Sequence, residues 1–133
     1  MIAAFVLIAS VSIGGVELTP LQDAIWQVET GRCEGDCPPG DGGKAMGPLQ
    51  IHRVAWLDVR RDGEAYEDCE GLAYSLVVMA RYFERYAVER RLGHTPTDED
   101  RARIWNGGPN GYKKRATVGY WSRVERVMKE ARP

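Results

Sequence analysis

Between Cys69 and Leu92 the apolar residues Leu72, Leu76, Met79, Phe83 and Tyr86 return on one face of a 3.6-residue repeat, with Gly93 behind them as a stop. The spacing predicts one long amphipathic helix, and a helix with one apolar face must be covered by other elements. The rest of a 133-residue chain has to supply that cover. This length suits a single domain burying about two-thirds of the surface its unfolded form exposes. Hydrophobic residues make up 44% and charged residues 28%, which is the composition of a globular domain that folds alone.

The covering elements are marked by their ends. Thr19 is an N-cap, Pro20 takes the first helical position and Gln22 completes a capping box; Leu21, Ile25 and Val28 then share a face until Gly31. Residues 32–47, "RCEGDCPPGDGGKAMG", are too rich in Gly and Pro for more than a short irregular hairpin. In 48–59 a turn leads into a short helix with Leu49, Val54 and Leu57 at helical spacing. Thr97 with Asp98, Glu99 and Asp100 opens a further helix by cap and dipole logic, and Asn106-Gly107 ends it. A last helix over Thr117–Glu130 presents Val118, Trp121, Val124 and Met128 to the core. The expected class is α+β, predominantly α, with a long central helix and a short irregular hairpin region.

The net charge of −1 gives the molecule no field for nucleic acid. Cations gather after Arg101, a pattern that a solvated helix face explains. The opening run "MIAAFVLIASVSIGG" is too short for a membrane span, which needs about 20 residues, and it ends in small residues that suit cleavage. Residues 1–15 are therefore expected to be a signal peptide or N-terminal anchor, and 16–133 the functional domain, secreted or held in the periplasm or envelope. No stable membrane partner is expected after leader removal, and the domain is expected to be a monomer.

Cys33, Cys37 and Cys69 are an odd number, so one disulfide and one free thiol is the simplest account, with a bridge from the 33–37 loop to Cys69 as the alternative arrangement. A structural zinc site would need two tight ligand pairs, and the chain has one, so no metal and no cofactor are expected. A phosphate-binding reading of "GDGGK" (40–44) fails, because Pro38 and Ala45 stand where the P-loop needs Gly and Ser or Thr.

Two features ask for chemistry. Glu29 lies in the last turn of the first helix, where the helix dipole is also negative; at an exposed site that placement costs about 0.3–1 kcal/mol. The loop "WNGGPNGY" (105–112) packs three glycines with two asparagines and two aromatics, the hydrogen-bonding and stacking groups of a sugar-binding cleft.

The segments "VETG" (28–31), "MGPLQI" (46–51), "AWLDV" (55–59), "ARIWNGGPNG" (102–111) and "TVGYW" (117–121), in this order, resemble the invertebrate-type lysozymes across nearly all of residues 20–128. The resemblance implies a lysozyme-like fold and cleavage of the β-1,4 bond between N-acetylmuramic acid and N-acetylglucosamine in peptidoglycan, with a chitin-like glycan as the partner class. It implies Glu29 as general acid and Asp41 as second carboxylate, with retention of configuration; Glu34, Asp36 and Asp58, more simply read as loop or surface acids, are the alternatives for that second role. Gln50 and Ile51 match the floor of the site; Asn106, Gly107 and Tyr112 belong to the loop that meets the acetamido sugars. Trp56, Trp105 and Trp121 are sugar platforms or core, and His52 reads as a bystander. A model Glu with a pKa of about 4.3 would be deprotonated at neutral pH, so a general acid at 29 needs its surroundings to raise that value. The negative helix end, burial beside Trp26 and a nearby carboxylate would each do so, while Asp41 in a wet glycine loop stays ionised. The chain departs from the family in its few cysteines and in Trp105, where His is common. A lytic transglycosylase using Glu29 alone and a non-catalytic peptidoglycan-binding module are the alternative readings.

Overall fold

The computed structural model describes residues 11–13 and 15–131. Strand β1 (Val11–Ile13) pairs antiparallel with β2 (Val16–Leu18), Val11 opposite Leu18. Helix α1 (Pro20–Thr30) follows, and it is capped as its sequence dictates: Thr19 Oγ1 accepts from the Gln22 amide, and the Thr19 amide donates to Gln22 Oε1. Gly31 closes it in the left-handed conformation, φ 63°. A two-residue hairpin, β3 (Ala45–Met46) with β4 (Ile51–His52), comes next, then α2 (Arg53–Val59), α3 (Leu72–Tyr86), α4 (Glu89–Leu92), α5 (Asp98–Gly107) and α6 (Val118–Glu130). The candidate leader lies for the most part outside the described residues. Among those described, no helix is long and apolar enough to cross a membrane.

The core runs through all the larger helices. Leu21, Ala24, Ile25 and Trp26 of α1 meet Leu72, Leu76, Val78 and Met79 of α3, Ala102 of α5, and Tyr120 and Val124 of α6. A smaller cluster of Tyr82, Ala87 and Ile104 sits under the α3–α4 corner. The expected face of α3 is buried at Leu72, Leu76 and Met79 and half-buried at Phe83 and Tyr86.

Three expectations are corrected. The long helix does not reach Leu92: it ends at Tyr86, Ala87 leaves helical geometry at ψ 66°, and Val88 is extended before α4. The Ala87 corner is buried on Tyr82 and Ile104, and Arg91 donates back to the Tyr86 carbonyl at 2.7 Å. Packing at this corner outweighs the continuous helical pattern. In α2 the buried residue is Trp56, while Val54 is 74% and Leu57 53% exposed. In α6 Val118 faces solvent, Trp121 and Met128 are half-buried, and Tyr120 with Val124 fills the core. The seven residues of α2 are few enough that a rotation of the buried face escapes a spacing argument; in α6 the expected face holds at Trp121, Val124 and Met128, which pack in or against the core, and fails only at Val118 in the first turn.

The disulfide is Cys33–Cys37, and Cys69 is a free, fully buried thiol rather than a partner for that loop. Burial pushes the Cys69 thiol up to about 12. The backbone around Cys69 has a separate role. Its carbonyl accepts from Ser75 Oγ at 2.8 Å and also lies against the α-carbon of Gly47. Gly47 has φ 78°, and any Cβ there would collide with that carbonyl. Tyr66 fixes the same junction by donating to the Ile51 carbonyl at 2.6 Å. Gly47→Ala is therefore expected to destabilise the protein by about 2 kcal/mol or more, because it adds both strain and a backbone clash; urea unfolding measures this.

Candidate active site

Glu29 projects from the last turn of α1 toward α6. Tyr120, buried in the core, donates from its hydroxyl to Glu29 Oε1 at 2.8 Å, joining residues 91 positions apart. Burial holds the Glu29 carboxyl above the usual carboxylate range; the Tyr120 hydrogen bond and the positive charge of Arg123 pull it partly back. The elevation expected from the sequence is present with burial as its main cause. Beneath the helix end, Trp26 donates from Nε1 to the Cys33 carbonyl at 2.8 Å, and Arg32 forks onto Asp23 with two contacts of 2.9 Å. The disulfide loop is thereby tied to the turn that carries Glu29.

Asp41 sits in a glycine turn before β3. Its carboxylate is 69% exposed and lies 3.1 Å from Nε2 of His52. Gln50, with φ 53°, donates from Nε2 to the Gly47 carbonyl at 2.9 Å and packs its amide against Gly40. Thr30 links the two halves of the site: its hydroxyl donates to the Pro48 carbonyl at 2.8 Å, so the residue after Glu29 is pinned to the turn that holds Gln50.

A cleft of about 380 Å³ opens beside this turn. Asp41, Gln50, Ile51 and His52 form one wall, Val54, Ala55 and Asp58 of α2 another, and Tyr82, Trp105, Asn106, Gly108 and Pro109 the third. Of the residues singled out from the sequence, Asp41, Gln50, Ile51 and Asn106 share this cavity. Glu29 does not line it and is joined to it through Thr30 and Pro48. Gly107 and Tyr112 also lie off its lining: Gly107 faces Thr117, and Tyr112 is half-buried against the small cluster of Tyr82 and Ile104. Trp105 is a cleft wall, set edge-on to Tyr82 and Phe83 with its N–H on the Leu49 carbonyl at 3.2 Å. Trp56 belongs to the core, its N–H on the Tyr74 hydroxyl.

The loop 106–112 is held from two sides. Arg91 of α4 donates to the Pro109 carbonyl and to Asn110 Oδ1, and Thr117 donates to the Gly111 carbonyl at 2.7 Å. Sequence reasoning missed Arg91, the contact of Tyr120 with Glu29 and the pairing of His52, since no local spacing announces a contact made across the fold; Asp58, one of the alternative acids, lines the cleft. Among the described residues no group of three or more His, Cys, Asp or Glu side chains is placed to hold a metal.

Comparison with known proteins gives this arrangement a family. The chain is 31% identical to the lysozyme of Meretrix lusoria over 115 residues, covering 86% of this chain and 93% of that protein. It is 30% identical to the invertebrate-type lysozyme of Ruditapes philippinarum, covering 76% and 74%. The chain belongs to the invertebrate-type lysozyme family. No protein-family model matches it. The solved Meretrix lusoria lysozyme in complex with Aeromonas hydrophila PliI superimposes on this lysozyme with a TM-score of 0.69 at 32% identity, covering 81% of this chain and 88% of that one. The α+β, mainly helical class expected from the sequence is thus the lysozyme fold, and the chain is a glycosidase of the lysozyme class.

Tyr120→Phe removes the hydroxyl that favours the ionised form of Glu29. The carboxyl of residue 29 is then expected to titrate at a higher pH than in the parent, as followed by NMR of its side-chain carbon. An unchanged or lower titration point would show that the contact does not act on the ionised form.

Proposed function

We propose that this lysozyme cleaves the β-1,4 bond between N-acetylmuramic acid and N-acetylglucosamine with Glu29 as general acid and Asp41 as the second carboxylate. The observation that carries the assignment is the environment of Glu29: a carboxyl kept protonation-prone by burial, with the Tyr120 hydroxyl on Oε1 and Oε2 left for the substrate. In this reading Glu29 gives its proton to the glycosidic oxygen as the bond to the sugar breaks. Asp41, exposed at the edge of the cleft, stabilises or captures the positive charge that develops on the sugar ring. Asn106 offers its amide to the acetamido substituents, Gln50 holds the turn of the facing wall through its bond to the Gly47 carbonyl, and Trp105 offers an apolar wall.

Residues 1–15 serve, on this proposal, as the leader that sends the domain to its cell-wall substrate. The Cys33–Cys37 disulfide supports action in an oxidising compartment outside the cytoplasm.

Glu29→Gln is expected to lower reducing-end release from purified peptidoglycan by about 10²-fold or more. Parental release by that variant would remove Glu29 from the mechanism. The product mass adds a second check, since hydrolysis adds one water that an anhydro-forming cleavage does not.

The same substitution has a stability signature. A buried carboxyl with a raised folded-state pKa costs the native state nothing extra below the unfolded value of about 4.3, and an increasing amount as pH rises through the folded value. Glu29→Gln is therefore expected to raise the thermal midpoint at neutral pH, with the gain disappearing in acid, as scanning calorimetry across pH reports.

A further inference from the structure

His52 occupies the N-cap position of α2, yet its side chain makes no capping hydrogen bond there. The ring turns instead across the hairpin to Asp41, with Nε2 at 3.1 Å from Oδ2. Strand register sets this approach: Gly40 bridges to Ala45, and Ala45 pairs with His52, so the residue after Gly40 lies beside the ring. Asp41 stands between Gly40 and the Gly42-Gly43 pair, in a turn with no neighbouring side chain to steer it, and its own φ is 52°. Among the described residues the His52 ring is the group within salt-bridge distance of this carboxylate. Both side chains are well exposed, 46% for His52 and 69% for Asp41, so the pair contributes little to folding stability. Both also line the cleft.

We infer that His52 is a positioning residue for Asp41: it engages Oδ2, fixes the carboxylate at the cleft wall and leaves Oδ1 directed to the sugar. The inference rests on the assignment of Asp41 as second carboxylate. An exposed aspartate in a glycine turn samples several rotamers, and a partner across the hairpin selects one before substrate arrives. The ring acts through Asp41 and needs no contact with the substrate, so its loss falls on kcat and not on KM.

The test is steady-state kinetics on a soluble peptidoglycan fragment of defined length, with the parent, His52→Ala, His52→Gln and Asp41→Asn. Equal circular dichroism and melting of the variants follow from the exposure of both sites. His52→Ala is expected to lower kcat about tenfold with KM within about twofold of the parent. His52→Gln, whose amide nitrogen falls near the place of Nε2, is expected to recover most of that loss. Asp41→Asn is expected to be the slowest of the four. Parental kcat in His52→Ala beside an impaired Asp41→Asn would overturn the inference while leaving Asp41 in place. A rise in KM without loss of kcat, or a Gln variant as slow as the Ala variant, would also overturn it. Parental activity in Asp41→Asn would instead remove the assignment on which the inference stands.

Discussion

The hydrogen bond from Tyr120 to Glu29 closes the molecule on itself. It can form only when α6 lies against α1, and that packing depends on Ile25 and Trp26 sharing a core with Val124. The same contact that completes the fold thereby sets the surroundings of one carboxyl. Burial disfavours its charge, while the hydroxyl and Arg123 limit how far the proton's hold is strengthened. A general acid needs that balance, since too weak a hold leaves no proton to donate at neutral pH and too strong a hold makes donation slow.

Around this contact the backbone is drawn in at two points where only hydrogen fits. Gly47 lies on the Cys69 carbonyl and Gly111 on the Arg103 carbonyl, so the hairpin meets the segment before α3, and the 106–112 loop meets α5, without an intervening side chain. Gln50 of the hairpin turn and Asn106, Gly108 and Pro109 at the end of α5 line one cleft. The free thiol of Cys69 packs here as a small apolar group, and its main chain does the positioning. The stabilising work that a bridge to Cys69 would have done is carried out by helix packing and by hydrogen bonds such as Tyr66 to Ile51.

Much of the local structure was legible in the chain. The capping box at Thr19, the stop at Gly31 and the acidic first turn after Thr97 are contacts within a few residues, and their partners are neighbours in sequence. The candidate general acid was legible for a related reason, because an anion at a negative helix end is a local conflict that can be read without knowing what lies opposite. The α3–α4 corner and the exposure of Val54, Leu57 and Val118 were not legible, whereas Trp121, Val124 and Met128 of α6 do meet the core as their spacing predicts. The corner is set by the packing of Ala87 on Tyr82 and Ile104, and apolar spacing over the two turns of α2 leaves the rotation of that helix open.

Sequence alone determined the class of fold, the ends of the first and fifth helices, the family, and the position of Glu29 at a helix terminus. Tertiary structure decided that Tyr120 is its hydrogen-bond partner, that His52 turns to Asp41, that Trp105 walls the cleft while Trp56 fills the core, and that Cys69 stays unpaired. The division has a physical origin. Caps, dipoles and periodicity act over one or two helical turns, whereas burial and the pairing of distant side chains exist only after the chain has closed, and the chemistry of a carboxyl depends on the second kind.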